Sequence, residues 1–378
     1  MTPLDGLLVA DFSRVLAGPF ATMALADLGA TVVKVERPGT GDETRTWGPP
    51  WTEGSTAYFD CVNRTKLGLT LDLTDPDDRA AAAELARRAD VVVHNLLGIA
   101  RYGLDYDTVA ATNPRVVYCS ITGFGADSDR PGYDFLLQAV GGLMSITGDP
   151  DGDPRKVGVA LVDVLTGKDA VIGILAALAA RARTGRGDHV QVELLSSLLG
   201  AMVNQAAGYL ATGVAPGRLG NQHPSIAPYE TLRCADGLLA VACGNDGQFQ
   251  RLVSTIGRPE LAADPRFVTN PARVANRPAL VVELEAGLAG DTAAAWDERL
   301  RAAGVPAGLV GDLGSAVRLA AEHGLDPTVG VGAGRQIRHP VRYRTNEMAP
   351  VFRPPRLGEH DRLVRAWLAG PPDAPLRG

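Results

Sequence analysis

Asp163 is the residue whose type and position suggest chemistry most directly. It precedes the most apolar predicted helix of the chain, at residues 166–183. A carboxylate at a helix N-terminus is stabilised as an anion by free backbone N–H groups and the helix dipole, by about 0.3–1 kcal/mol. An oxyanion formed there from a thioester would use the same donors. The alternative is an ordinary helix cap, in which Thr166 and Asp169 complete a start resembling a capping box.

A second group of residues could bind phosphate. Lys34, Arg37 and Arg45 surround the loop at 38–45, and Arg101 follows the apolar run at 91–93. Arginine binds phosphate in a bidentate manner, so these side chains could hold a phosphorylated ligand. The alternative is that they are ordinary solvated cations, among the 37 lysines and arginines of the chain.

Several other kinds of site lack their sequence patterns. The six histidines show no HExxH or HxH spacing, the four cysteines form no CxxC pair, and there is no GxSxG motif or P-loop. We therefore expect no metal site. Cys119 and Cys243 lie in apolar, strand-like runs, where packing is the better interpretation.

The elements around these residues form an alternating α/β pattern. A strand at 7–12, a loop at 13–19, a helix at 20–29 and a strand at 31–36 make a βαβ unit. Its first loop should open at the carboxyl edge of the sheet, where open α/β folds bind ligands. That loop lacks GxGxxG, so a dinucleotide cofactor is poorly supported. The pattern continues with a helix at 75–88, strands at 91–93 and 115–121, the helix at 166–183 and a strand at 189–195.

These elements predict a doubly wound, Rossmann-like large domain with a smaller α+β domain. The large domain covers residues 1–200, and 201–224 form a linker that runs into the segment rich in Gly and Pro at 213–228. A hairpin at 229–243 and two or three helices make the small domain, at 225–308. A second linker at 309–324 leads to residues 325–378, which return to the large domain.

Length and composition describe an ordinary folded protein. Of 378 residues, 46% are hydrophobic and 21% charged, and the formal net charge is −6. An acidic chain has no general attraction to nucleic acid or anionic membranes. The longest apolar run, at 170–180, is shorter than the roughly 20 residues that span a bilayer. The first residues lack the basic region of a signal peptide, so we expect a cytoplasmic protein.

Nine segments together resemble the family III CoA transferases, the CaiB/BaiF-like group that contains formyl-CoA transferase and carnitine CoA transferase. The match extends over nearly the whole chain. The segments, in the order of that family, are 9–45, 63–73, 113–125, 131–148, 162–178, 183–195, 220–232, 235–249 and 354–361.

The resemblance implies an interlocked homodimer of ring-shaped subunits and an acyl-CoA:carboxylate CoA transferase without a tightly bound cofactor. Coenzyme A esters and carboxylic acids would be its substrates. The nucleophile of the family falls on Asp163, which would form an acyl-aspartyl anhydride and then an aspartyl-CoA thioester. No ATP is needed, because the thioester energy is conserved at each step.

The resemblance also assigns binding residues, with Arg37 and Arg101 facing CoA phosphates. The CoA-contacting positions are Leu16, Ala17, Arg37, Leu71, Asp72, Leu73, Thr74, Asn95, Leu96, Leu97, Arg101, Pro131, Gly132, Tyr133 and Asp134. His223, Ser225 and Tyr229 are candidates for selecting the acyl group.

This chain departs from the family at several positions. Leu16 replaces a glutamine of formyl-CoA transferase, and the segment at 220–229 replaces its glycine-rich lid, which argues against oxalate as the acid. An α-methylacyl-CoA racemase would need a histidine where Tyr133 stands, which argues against racemisation. A CoA-ester-binding protein without chemistry would have no need of Asp163.

Overall fold

The computed structural model describes residues 1–372 and 374–376, which fall into two compact units. Unit 1 comprises residues 1–143, 157–211 and 326 onward, and unit 2 comprises residues 144–156 and 212–325. The predicted limits of domains and linkers stay predictions.

The first part of unit 1 supplies most of its strands and helices. In chain order they are β1 (Leu8–Phe12), α1 (Ala17–Asp27), β2 (Thr31–Glu36), β3 (Trp51–Thr52), β4 (Ser55–Thr56), α2 (Ala57–Asp60), β5 (Lys66–Thr70), α3 (Pro76–Arg88), β6 (Val91–His94), α4 (Tyr106–Thr112), β7 (Val117–Thr122) and α5 (Asp134–Val140). The long helix α6 (Leu161–Thr184) follows, with β8 (Asp188–Glu193), α7 (Leu194–Ala201) and α8 (Val203–Thr212).

Six of these strands form one sheet in the order β5-β2-β1-β6-β7-β8, and every neighbouring pair is parallel. This is the strand order of the dinucleotide-binding fold, in which the direction of progress reverses between β1 and β6. The loops that follow β1 and β6 therefore leave the sheet side by side. The expected α/β class with a parallel central sheet is confirmed.

Both faces of the sheet are buried, which explains its continuous apolar strands. Val91 and Val93 of β6 pack on one face, together with residues of α1, α6 and α7. Val92 packs on the other face, together with residues of α3 and α4. A run of three valines therefore forms a central strand because neither face meets water.

The last part of unit 1 returns to the sheet edge. It contains the hairpin strands β12 (Thr328–Val331) and β13 (Gly334–Ile337) and the helix α14 (Asp361–Leu368). The Gly68 N–H of the edge strand β5 donates to His360 Nδ1 at 3.0 Å, and the Thr70 N–H donates to the Asp361 carboxylate at 2.7 Å. This segment thereby covers an edge that would otherwise expose unpaired backbone groups.

Unit 2 has its own sheet and core. The strands β9 (Tyr229–Arg233), β10 (Leu238–Ala242) and β11 (Ala307–Leu309) are antiparallel, with β10 in the centre. The helices of this unit are α9 (Asp246–Thr255), α10 (Asn270–Ala275), α11 (Arg277–Leu288), α12 (Ala293–Ala302) and α13 (Leu313–Glu322).

Within the described ranges, no single helix combines the length and apolar character needed to cross a membrane. Only the α7–α8 pair, bent by 83° at its break, meets those two criteria when its helices are taken together.

Candidate active site

Asp163 lies inside the first turn of α6 and only 8% of it is exposed. The helix begins at Leu161, five residues before the predicted start at 166. Its N-cap position is Ala160, which provides no side-chain hydrogen bond, and the Thr166 hydroxyl donates to the Val162 carbonyl. The interpretation of Asp163 as a helix cap is therefore wrong.

The carboxylate of Asp134 takes the place of that cap. It accepts a hydrogen bond of 2.8 Å from the backbone N–H of Val162, at the start of α6. Gln138, one turn further along α5, donates to the same carboxylate at 2.8 Å and accepts from the Val157 N–H at 2.8 Å. Asp134 and Gln138 thus fix the segment that leads into α6. The Asp163 carboxylate accepts no hydrogen bond from any residue in the described part of the chain.

The electrostatic setting of Asp163 makes its carboxyl group unusual. Burial, together with the negative charge of Asp134, raises the pKa of Asp163 to about 7. A desolvated carboxylate of raised basicity, free of internal hydrogen bonds, is suited to attack a carbonyl carbon or to exchange a proton near neutral pH. Both kinds of chemistry are open to this side chain.

Tyr58 is a neighbour of Asp163 that sequence reasoning missed. Its ring belongs to a small apolar cluster with Leu16, Ala160 and Val164, and the last two flank Asp163 in sequence. Burial, followed by the negative charge of Asp163, raises the pKa of Tyr58 to about 12. The phenol therefore stays protonated and can act as a hydrogen-bond donor. It sits on the short helix α2, which has no periodic pattern to reveal it.

A cavity of about 580 Å³ opens at the carboxyl ends of β1, β2, β5 and β6. Arg37 and Arg101 are exposed at this cavity, and the Arg101 guanidinium lies 4.6 Å from the centre of the Tyr102 ring. Sequence-predicted positions lining it are Arg37, Leu71, Asp72, Leu73, Thr74, Leu96, Leu97 and Arg101. The structure thus brings together most of the predicted CoA contacts.

Two of the predicted cations are not free for phosphate. The Lys34 ammonium is fully buried and donates at 3.0 Å to both the Asp42 carboxylate and the Ser13 carbonyl. Arg45 forms a bidentate pair with Glu36, at 2.7 and 2.8 Å. Lys34 and Arg45 fit neither of the two interpretations, as phosphate ligands or as solvated cations, because internal carboxylates already neutralise both.

A second buried ion pair lies beneath the loop after β1. The Lys66 ammonium donates to the Asp11 carboxylate at 3.1 Å, to the Asn63 side chain at 2.9 Å and to the Pro19 carbonyl at 3.0 Å. Burial is the main cause that lowers the pKa of Lys66 to about 8. These contacts hold the start of α1 against the sheet.

The remaining predicted residues lie outside the 580 Å³ cavity, as far as the described residues define it. Leu16 and Ala17 are buried at the start of α1, and the Asn95 side chain is bonded to the backbone of Arg14. Pro131, Gly132 and Tyr133 are exposed ahead of α5. Gly132 packs against Gly123: a Cβ added at Gly132 would lie 2.5 Å from the Gly123 Cα atom.

His223, Ser225 and Tyr229 lie together in unit 2. The Ser225 N–H donates to His223 Nδ1 at 3.1 Å, and the rings of His223 and Tyr229 lie 5.2 Å apart. Arg277 donates to the His223 carbonyl at 2.6 Å. These contacts fix the loop backbone, while the Ser225 and Tyr229 side chains are exposed.

Within residues 1–372 and 374–376, no group of three or more His, Cys, Asp or Glu side chains is arranged to hold a metal ion.

Comparison with known proteins gives a consistent result over the whole chain. A sequence profile of CoA-transferase family III matches residues 4–361. The chain is 42% identical to the succinate–glutarate CoA-transferase of Agrobacterium fabrum, and the alignment covers 97% of this chain and 96% of that protein. It is 41% identical to the acetyl-CoA:oxalate CoA-transferase of Acetobacter aceti, over 98% and 96% of the two chains.

A solved structure agrees with these relatives. A CaiB/BaiF family protein from Brucella suis matches with a TM-score of 0.88 and 44% identity, over 97% of this chain and 99% of that one. The fold, the family profile and the full-length relatives lead to one conclusion: this chain is an enzyme that belongs to CoA-transferase family III.

Proposed function

We propose that this enzyme is an acyl-CoA:carboxylate CoA transferase in which Asp163 is the covalent nucleophile. The observation that carries the proposal is the Asp163 carboxylate itself, nearly buried and without a capping role. Its raised pKa gives the basicity that attack on a thioester requires. The family membership and the transferase relatives support transfer over racemisation or binding alone.

The reaction then proceeds through two anhydrides. An Asp163 oxygen attacks the thioester carbon of the donor, the C–S bond breaks, and CoA leaves as the thiolate. The thiolate attacks the Asp163 acyl carbon, which releases the donor acid and forms the aspartyl-CoA thioester. The acceptor carboxylate attacks that thioester to give a second anhydride, and the thiolate takes the acceptor acyl group, which frees the Asp163 carboxylate.

The CoA moiety is proposed to occupy the 580 Å³ cavity, with Arg37 and Arg101 at its phosphates. CoA is a polyanion, and both arginines are exposed at the cavity. No carboxylate of the described residues lies at ion-pair distance from either of them. We retain the CoA contacts assigned by the resemblance, except that the side chains of Asp134 and Asn95 are already engaged internally.

The acids are proposed to be short dicarboxylates, with succinyl-CoA as a donor. The relatives from Agrobacterium fabrum and Acetobacter aceti are named for succinate, glutarate and oxalate. Leu16 places an apolar side chain in the cluster beside Asp163, which favours an acid with a longer carbon chain than oxalate. The role of His223, Ser225 and Tyr229 in selecting the acyl group rests on the resemblance.

We further propose a homodimer. Unit 1 has a second cavity of about 1300 Å³, lined by α1, α6 and the β12–β13 hairpin. Apolar side chains face it, among them Val171, Leu175 and Ile172, of which Ile172 is 66% exposed. Burial of such a surface by a second copy of the chain would be favourable. The interlocked form, the cytoplasmic location and the absence of a tightly bound cofactor stay predictions.

Trapping of the covalent intermediate tests the proposed function. The enzyme is incubated with succinyl-CoA, treated with hydroxylamine or borohydride, and analysed by peptide mass spectrometry. The expected modification is confined to Asp163, is absent from Asp163→Asn, and persists in Asp169→Asn, a change at an exposed carboxylate of the same helix. An unmodified enzyme that exchanges the substrate α-proton in deuterated water would instead support a racemase.

A further inference from the structure

The loops that follow β1 and β6 are tied together by one side chain, that of Asn95. Its Oδ1 accepts the Arg14 N–H at 2.9 Å, and its Nδ2 donates to the Arg14 carbonyl at 2.7 Å. The two bonds pair both ends of the amide with a single backbone residue, as a neighbouring strand would. The amide that would bind a ligand is therefore already engaged within the fold.

The loop that Asn95 holds has a strained backbone. Val15, the residue after Arg14, has a φ of 69°, in the left-handed region that a β-branched side chain rarely adopts. Such a conformation persists only where its surroundings impose it. The Val15 N–H also approaches the Asp42 carboxylate, at 3.2 and 3.3 Å from its two oxygens, and Asp42 is held by Lys34.

The same loop delivers a side chain to the surroundings of the nucleophile. Leu16 is buried at the N-cap position of α1. It belongs to the apolar cluster that contains Tyr58, Ala160 and Val164, the last two on either side of Asp163. A shift of the backbone at Arg14 and Val15 would therefore move groups that pack against the first turn of α6.

We propose that Asn95 is a positioning residue, which holds the loop at 13–16 in its strained conformation and so places Leu16 in the apolar cluster beside Asp163. It acts through the Arg14 backbone and not through contact with the CoA ester. This inference rests on the proposed function and reassigns a residue that the family resemblance places among the CoA contacts.

Steady-state kinetics with succinyl-CoA and glutarate separate the two roles. Asn95→Ala removes both hydrogen bonds to Arg14 and is expected to lower kcat by about tenfold or more, with little change in KM for succinyl-CoA. Arg101→Ala, at the cavity, is the comparator and is expected to raise KM. Asn95→Asp keeps the size of the side chain but sets a carboxylate oxygen against the Arg14 carbonyl, so it should lower kcat as well.

A second substitution distinguishes positioning from general loss of structure. Glycine adopts a positive φ without steric cost, so Val15→Gly removes the backbone strain. The loop then needs less support from Asn95 to keep its conformation. In the Val15→Gly background, Asn95→Ala should therefore lower kcat by a smaller factor than in the wild type.

The inference is overturned if Asn95→Ala raises KM and leaves kcat unchanged. It is also overturned if Asn95→Ala lowers kcat by the same factor in the Val15→Gly background as in the wild type. Thermal melting of each variant identifies any that does not fold, and Asn95→Asp then replaces Asn95→Ala. If the wild-type enzyme turns over without labelling of Asp163, the covalent mechanism fails, but the split between kcat and KM still decides the role of Asn95.

Discussion

The Asp134 carboxylate accepts a hydrogen bond of 2.8 Å from the backbone N–H of Val162, in the first turn of the helix that carries Asp163. Asp134 thus caps the helix from α5, whereas the carboxylate of Asp163, which follows Val162, accepts no hydrogen bond from the described residues. The charge of the cap also adds to the effect of burial on the pKa of Asp163. This division of roles leads to predictions that separate the two carboxylates.

Asp134→Asn should shift the acid limb of the pH profile of kcat/KM to lower pH. The asparagine side chain retains an oxygen for the Val162 N–H but removes the negative charge that raises the pKa of Asp163. A lower pKa leaves Asp163 deprotonated, and so nucleophilic, in more acidic solution. Asp169→Asn is the control and should leave the limb in place. A limb that stays or moves to higher pH in Asp134→Asn would contradict the assignment.

Asp163→Asn should stabilise the protein more at pH 8 than at pH 5. The pKa of Asp163 is raised from 3.8 to about 7 by burial and by Asp134, so the folded state binds this proton more tightly. The stability that the folded state gains from binding this proton is fully present below pH 3.8 and is lost as the pH rises to about 7. The neutral asparagine avoids that loss, which is on the order of 2 kcal/mol between the two pH values.

Thermal melting at pH 5 and pH 8 checks this expectation. The gain in Tm of Asp163→Asn over the wild type should be larger at pH 8, whereas Asp169→Asn should show the same difference at both. A gain that is equal at the two pH values, or a loss at pH 8, would mean that Asp163 is not held in a destabilising environment.

Arg37→Ala should raise KM for acyl-CoA esters by about tenfold and leave the fold unchanged. Arg37 is exposed at the 580 Å³ cavity, so its removal takes away ground-state binding of a phosphate group. Arg186→Ala, an exposed arginine beyond the end of α6, is the matched control. An unchanged KM in Arg37→Ala would remove Arg37 from the CoA site.

Gly167→Ala should destabilise the protein, and Gly200→Ala should not. An added Cβ at Gly167 would lie 2.7 Å from the Ala17 carbonyl oxygen, so α1 and α6 would have to separate, at a cost of about 1–3 kcal/mol. Gly200 in α7 has no described atom within 4 Å of such a Cβ, and alanine there should gain up to about 1 kcal/mol. Urea unfolding of the two variants measures both, and equal stabilities would contradict the close packing of α1 on α6.

Five of the six strands of the sheet were predicted from the sequence because their signals are local, whereas the edge strand β5 was not. Apolar runs such as Val91–Val93 are typical of strands buried on both faces, and the βαβ pattern at residues 7–36 predicts the parallel pair of β1 and β2. The beginning of α6 was not predictable in this way. Its cap comes from Asp134, which is 28 residues away from Val162 in sequence. Asp163, which lies close to the predicted start of the helix, wrongly suggested a cap of its own.

The site was predictable only where side chains remain free. Arg37 and Arg101 are exposed at the cavity as expected, whereas Lys34 is neutralised by Asp42, a pairing that depends on how the loop after β2 folds back. Tyr58 gave no signal, because it reaches the surroundings of Asp163 from a four-residue helix. Pairing and proximity of this kind are decided by tertiary structure.

Transfer of oxygen from the acceptor acid to the enzyme tests the central claim most directly. In the proposed mechanism, each turnover leaves one oxygen of the acceptor carboxylate on Asp163. Turnover with succinyl-CoA and ¹⁸O-labelled glutarate, followed by peptide mass spectrometry, should therefore show ¹⁸O in the peptide that carries Asp163 and at no other carboxylate. Transfer of CoA to glutarate without ¹⁸O in Asp163 would contradict the claim that this residue is the nucleophile.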